Sequence, residues 1–273
     1  MNRMNSKGRK SNWREALWLI SSACVITLAL HLLTWADDSS GGRSSPLEAN
    51  AKAAVGNIKG IKLSIPQNYL LSGVHYRGDE VWKRSQAPHP VPTFDSEIQD
   101  FSLLLRESNL QPVRNEQDRA DYLEYGRTAN PRPDNRWLIT EFLPDWFVVN
   151  GGKLQAVFDR YMKDEAKWGP FIPQDKNVYG MKHAVSTQQE KDKQGINQPD
   201  ELFYDPTTWN TFISCSNYHR HAPPFEPRSH CRHLFVVAEI QSVGSIYYSK
   251  DDLPRWRELE REIRKIVLSF VVE

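Results

Sequence analysis

Two cysteines and four histidines lie close together in the last quarter of the chain, and side chains of these types can bind a metal ion or form a disulfide. They are, in chain order, Cys215, His219, His221, His230, Cys231 and His233. Zinc sites usually take ligands spaced two to four residues apart on each side of a loop. The spacing here matches no such pattern, so we predict no metal ion or other cofactor. A disulfide between Cys215 and Cys231 is the favoured interpretation, and a metal site is the alternative.

Carboxylates close to aromatic residues are a second group that could do chemistry. Glu141 and Asp145 are arranged in this way and could form the acid pair of a hydrolase. The chain has 34 acidic residues, however, so such a pair arises readily by chance. The sequence has no Gly-x-Ser-x-Gly, His-Glu-x-x-His or Gly-x-x-x-x-Gly-Lys motif. We therefore predict no catalytic residues and no enzyme, with an exported hydrolase as an alternative because catalytic groups can be dispersed in sequence.

Short apolar and β-branched segments predict the strands that would hold these residues. Residues 61–65 alternate apolar and polar side chains before Pro66, and residues 137–143 end before Pro144. Further strands are predicted at residues 101–105 and 211–215, and a hairpin is predicted from residues 234–240 and 245–248 around a turn at residues 242–244.

Two segments have the periodicity of amphipathic helices. Apolar residues recur at helical spacing over residues 154–162 and again from Trp256 to Phe270, where Asp251 and Asp252 precede the helix as predicted caps. Helices are too few for regular βαβ alternation. The predicted fold class is α+β, with a mainly antiparallel sheet, a packed C-terminal helix and one preceding transmembrane helix.

An apolar segment near the N-terminus predicts that most of the chain is exported. Residues 16–35 contain no Asp, Glu, Lys or Arg, and an α-helix needs about 20 such residues to cross a bilayer. Arg9 and Arg14 precede the segment and Asp37 follows it, so the positive-inside rule keeps the N-terminus in the cytoplasm. An oxidising compartment favours pairing of the two cysteines, and the closed loop would add about 3 kcal/mol of stability.

The domain organisation follows from this span. We predict a cytoplasmic tail at residues 1–15, a transmembrane helix at 16–36, a flexible tether at 37–57 and a periplasmic globular domain at 58–273, with structure beginning near Ile58. A signal peptide cleaved after residue 36 is the alternative, although its apolar core would be unusually long. The formal net charge is +1 and no basic stripe is visible, so a nucleic-acid partner is not expected.

Several segments together resemble a known family. They are TFISCS (residues 211–216), CRHLFVV (231–237), LPRWRELEREIRKIVLSF (253–270), the Tyr-Gly-Met at 179–181 and, loosely, IPQNYL (65–70). This pattern resembles membrane-anchored periplasmic immunity proteins encoded beside antibacterial effectors of the type VI secretion system, including lipase effectors.

The resemblance implies a binding protein. Its partner would be a cognate effector toxin, with a phospholipase among the candidates, and its place would be the bacterial inner membrane, with a single span and the C-terminal domain in the periplasm. No catalytic residues carry over from such proteins. A structural or sensory protein of the cell envelope is the alternative from a different class.

Overall fold

The structure, a computed structural model, describes residues 53–79, 91–127, 136–164, 169–187, 199–216 and 229–273. The predicted cytoplasmic tail, membrane span and most of the predicted tether lie outside these residues, as do His219 and His221. In the part of the chain that the structure describes, no helix combines the length and apolarity needed to cross a bilayer.

The described residues form strands and helices in the following order. The strands are β1 (Ala54–Ile58), β2 (Ile61–Ile65), β3 (Leu70–Tyr76), β4 (Ile98–Arg106), β5 (Trp137–Leu143), β6 (Phe171–Val178), β7 (Met181–Ser186), β8 (Glu201–Tyr204), β9 (Thr211–Ser216), β10 (His230–Val237) and β11 (Ser242–Ser249). The α-helices are α1 (Glu116–Arg127), α2 (Pro144–Val149), α3 (Gln155–Lys163) and α4 (Trp256–Leu268), and short 3-10 helices lie at Gln67–Tyr69, Ala238–Ile240 and Lys250–Arg255.

Strands β3 to β11 form a single antiparallel sheet in the order β3-β4-β5-β11-β10-β9-β8-β7-β6. Strands β1 and β2 form a separate antiparallel hairpin. The central strand β10 is buried along most of its length, as expected for a strand covered on both faces. This architecture confirms the α+β class, the mainly antiparallel sheet and the C-terminal helix.

Helix α4 covers one face of the sheet. Its residues Trp256, Leu259, Ile263 and Val267 are buried, and their spacing of three or four places them on one side of the helix. They share a core with sheet residues such as Phe235 and with the β1–β2 hairpin. Burial of each such side chain contributes about 1.5–3 kcal/mol, so this face supplies a large part of the stability.

The other face of the sheet is covered by helices at two separate places. Near β4 and β5, Tyr122 of α1 packs with Leu104 and Trp137. Over β8 to β10, Phe158 and Tyr161 of α3 pack with a second apolar cluster that includes residues of these strands. The site described below combines residues of this second cluster with Arg232 of β10 and Tyr247 of β11.

The predicted turn of the β10–β11 hairpin was wrong. The chain turns at Ala238–Ile240 and at Gln241, which has a φ of 47°, whereas Gly244 lies inside β11. A Cβ atom at position 244 would collide with the ring of Phe235, its partner across the two strands. Packing inside the sheet therefore requires a glycine at position 244. The turn was predicted there because glycine is also common in turns.

Two predicted boundaries also need correction. Residues 54–57, assigned to the tether, belong to β1, because this strand pairs with β2 and brings Ile58 into the core. Asp251 and Asp252 do not cap α4 directly, since they lie in the 3-10 helix Lys250–Arg255. Asp252 is buried there and faces Arg136 and Arg255.

Candidate functional site: an arginine held between aromatic rings

Arg232 lies on the face of the sheet opposite α4. It pairs with Tyr247 of β11 on one side and with Ser214 of β9 on the other. Neighbouring β11 places Ser245 opposite Glu141 of β5, on this same face. Arg232 and Glu141 remain partly exposed, and 40% of the Tyr247 surface is accessible.

The guanidinium of Arg232 is held by two aromatic rings and one hydrogen bond. Its central carbon lies 5.3 Å from the ring centroid of Trp146 and 5.6 Å from that of Tyr247. Its Nε atom donates to Ser245 Oγ at 3.2 Å. Such cation–π contacts restrict the guanidinium without using its terminal N–H groups. Among the described residues, neither Nη atom has a hydrogen-bond acceptor.

A cavity of about 190 Å³ opens beside this guanidinium. Helices α2 and α3 and strands β9 and β10 form it, and its lining consists of Trp146, Val157, Arg160, Tyr161, Phe212, Ser214, Arg232 and Leu234. Two arginines thus face a space whose other walls are mostly aromatic or aliphatic. Its described lining holds a serine and a tyrosine but no histidine or carboxylate to activate them, so the arrangement is suited to binding an anionic group.

Glu141 brings a negative charge close to Arg232 without lining the cavity. Burial raises the pKa of Glu141, the charge of Arg232 lowers it, and the charge of Asp100 raises it further, so that the net shift is upward. No ion pair joins Glu141 to Arg232 among the described residues. The predicted partner of Glu141 has a different environment, because Asp145 is exposed in α2 and forms an ion pair with Arg77 at 3.0 Å. Glu141 and Asp145 therefore lie in different environments: Glu141 is near the charge of Arg232, and Asp145 is paired with Arg77.

The disulfide between Cys215 and Cys231 is present, with an S–S distance of 2.01 Å. The two cysteines lie directly opposite each other on β9 and β10, and both are buried in the core under α4. Ser214 precedes one cysteine and Arg232 follows the other, so their side chains point to the opposite face. The disulfide therefore fixes the register of the two strands that supply these cavity residues.

The two histidines of the cluster that the structure describes, His230 and His233, do not come together. His230 and His233 are three residues apart on β10, which places their side chains on opposite faces of the sheet. His233 is fully buried, and its Nε2 atom lies 3.2 Å from Oε2 of Glu260 in α4. Across the described residues, no group of three His, Cys, Asp or Glu side chains is arranged to hold a metal ion.

The sequence patterns did not single out Arg232, Trp146 or Tyr247. The one available signal is the charge of Arg232 inside the otherwise apolar strand segment CRHLFVV, because an arginine in a central strand needs a specific environment. Trp146 and Tyr247 looked like ordinary aromatic residues, since only the packing of α2 and the order of the strands bring them close to the guanidinium.

No family model matches the chain, and no curated protein is similar to it. One similar solved structure is Smlt3025, described as an immunity protein of the Stenotrophomonas maltophilia type IV secretion system. It has 13% identity and a TM-score of 0.49, over 86% of this chain and 100% of that chain. Likeness at this level does not establish a shared fold or function.

Proposed function

We propose that this protein is an immunity protein, which binds and neutralises a cognate antibacterial effector. The observation that carries the proposal is the guanidinium of Arg232, which lies within cation–π distance of Trp146 and Tyr247, in a residue that lines an accessible cavity. Arginine, tryptophan and tyrosine are the residue types that contribute most binding energy in protein interfaces.

The size of the cavity favours a protein partner over a small molecule. Pockets for small ligands usually enclose about 300–1,000 Å³, whereas this one has about 190 Å³. That volume accommodates one inserted side chain. Helix α2, which carries Trp146, also ends in two exposed valines, with 57% of Val148 and 80% of Val149 accessible. Apolar side chains around a polar anchor are typical of a surface that binds another protein.

The remaining parts of the proposal rest on the sequence. The apolar segment at residues 16–35 would anchor the chain in the inner membrane, and residues after it would lie in the periplasm. Anchoring would raise the local concentration of the binder where the effector arrives. The type VI secretion system and a lipase as the effector are proposed from the resemblance of the segments at residues 211–216, 231–237 and 253–270.

Coexpression with the effector candidate encoded by the adjacent gene tests the proposed function. The effector is directed to the periplasm of a sensitive bacterium, alone or together with the full chain, and survival is measured. We expect the full chain to restore growth and to copurify with the effector. A chain whose residues 1–36 are replaced by a cleavable signal peptide tests the anchor separately. If the full chain gives no protection and forms no complex with the effector, the proposal is refuted.

A further inference from the structure

We infer that the Arg232 cavity receives an acidic side chain, an aspartate or a glutamate, from the surface of the effector. This inference rests on the proposed function and specifies the chemistry of the contact.

The donors of Arg232 match a carboxylate. The Nε atom donates a hydrogen bond to Ser245 Oγ at 3.2 Å, and the rings of Trp146 and Tyr247 contact the guanidinium. The two Nη atoms remain without acceptors among the described residues and present parallel N–H donors. A carboxylate accepts such a pair of hydrogen bonds with both oxygens at once. Because the guanidinium is already restricted, less conformational entropy is lost when the carboxylate binds.

The charges of the cavity also favour an anion. Arg160 of α3 is a second cation in the lining, and none of the described lining residues is acidic. Glu141 stands outside the lining, and its burial favours the neutral form of its carboxyl group. The cavity therefore presents a net positive charge to a partner, and this charge would speed association with an acidic surface.

The shape of the cavity limits what can enter. Tyr161, Phe212 and Leu234 supply apolar walls that would contact the methylene groups of a glutamate or aspartate. A phosphate group of an anionic lipid would satisfy the same donors, but its bulky glycerol and acyl chains would have to stay outside a space of about 190 Å³. We therefore assign the site to a protein side chain, and lipid binding is included as a contrary outcome of the test.

Binding measurements with the full chain and the effector encoded beside it test the assignment. We expect Arg232→Gln to weaken binding by about 30-fold or more, because it leaves the carboxylate of the partner without its main donors. Arg232→Lys keeps the charge but loses the paired donors and should recover only part of the affinity. Arg160→Gln changes an exposed helix residue, so it reports on the same cavity even if Arg232→Gln folds poorly.

Arg261→Gln is the matched control. Arg261 is exposed on α4, on the other side of the sheet, and pairs with Glu262 at 2.7 Å. Its replacement should leave the affinity unchanged. Each exposed Asp or Glu of the effector is then changed to the amide and tested against wild type and Arg232→Gln. At one position, the amide substitution should weaken binding to the wild-type chain but should not weaken binding to Arg232→Gln any further. This position identifies the inserted carboxylate.

The outcomes separate the two proposals. If the wild-type chain neither binds nor protects, the proposed function fails. If it binds but both Arg232→Gln and Arg160→Gln bind as tightly as Arg261→Gln, only the assignment of this cavity is overturned. The full chain in phosphatidylcholine vesicles is also mixed with phosphatidylglycerol vesicles. Clustering of the two vesicle populations that disappears with Arg232→Gln would reassign the site to a lipid phosphate and overturn the inference.

Discussion

The Nε2 atom of His233 lies 3.2 Å from Oε2 of Glu260, across the interface between β10 and α4. Thr211 donates a second hydrogen bond to the same oxygen at 2.9 Å, and Arg264 approaches the other oxygen at 3.5 Å. His233 is fully buried and its ring contacts the ring of Trp256. This polar cluster ties the C-terminal helix to the sheet within an otherwise apolar interface, so its removal should affect stability.

The cluster makes stability depend on pH in the acid range. Burial raises the pKa of Glu260, but the hydrogen bond and charge of His233, the hydrogen bond of Thr211 and the charge of Arg264 together hold it below its ordinary value of 4.5. A carboxyl group whose pKa is lowered by folding stabilises the protein above the unfolded value, and this contribution is lost as the pH falls through the folded value.

We therefore expect Glu260→Gln to lower the free energy of unfolding by about 2 kcal/mol near neutral pH. It should also flatten the loss of stability that the wild type shows below a pH of about 4.5. Denaturant unfolding at several pH values measures both effects. Thr211→Val removes one hydrogen bond and should have a smaller effect. If Glu260→Gln and wild type lose stability equally as the pH falls below about 4.5, this account is contradicted.

Glu107 and Asp252 produce the opposite pH dependence. Both carboxyl groups are buried, and Arg136 Nη1 lies 3.6 Å from an oxygen of each. Burial, followed by the hydrogen bond with Asp252 and its charge, raises the pKa of Glu107 from 4.5 to about 7, against the effect of Arg136. Because the folded state binds the proton more tightly, stability falls as the pH rises from about 4.5 through about 7.

We expect Glu107→Gln to stabilise the protein near pH 8 by up to about 3 kcal/mol and to have little effect near pH 5. The amide resembles the protonated acid, so the variant avoids the buried negative charge. Thermal unfolding at the two pH values measures the difference. Glu116→Gln, which changes an exposed carboxylate of α1, is the control and should show no such gain. Equal stabilities of Glu107→Gln and wild type near pH 8 would show that protonation of Glu107 is not coupled to folding.

The disulfide should contribute a large share of the stability. Cys215 and Cys231 are separated by 16 positions, and closing a loop of this size adds about 3 kcal/mol by restricting the unfolded chain. We expect the double variant Cys215→Ala and Cys231→Ala to be destabilised by about this amount in denaturant unfolding. Wild type unfolded in the presence of dithiothreitol should have a similar stability, whereas dithiothreitol should not affect the double variant.

Gly244 should tolerate no side chain. A Cβ atom at this position would collide with the ring of Phe235, which also packs against Phe142. We expect Gly244→Ala to lower the free energy of unfolding by about 1–3 kcal/mol, as overpacking in a core typically does. Adding Phe235→Leu should make the combined loss smaller than the sum of the two single losses, because the smaller side chain leaves room for the methyl group. Additive losses would indicate that the two residues do not interact in this way.

Local sequence patterns predicted the elements that depend on nearby residues. The period-2 pattern predicted the strand at Ile61–Ile65, the segment that ends before Pro144 predicted the strand at Trp137–Leu143, and the helical period predicted α4. They failed where long-range packing decides the outcome. Strand β6 is almost entirely exposed, so it has no apolar alternation to recognise, and Gly244 was misread because its requirement comes from a residue on the neighbouring strand.

The sequence by itself determined the strands at 61–65, 137–143 and 211–215, the C-terminal helix, the sign of the charge that Arg232 carries, and the two cysteines, Cys215 and Cys231, available to pair. Only the tertiary structure decided that β5, β11 and β10 are neighbours, and therefore that Arg232, Tyr247 and Glu141 share one face. The physical reason is that periodicity records how a segment alternates between its two sides. The choice of neighbouring strands, and of the face that stays uncovered, depends on how the whole chain buries its apolar surface.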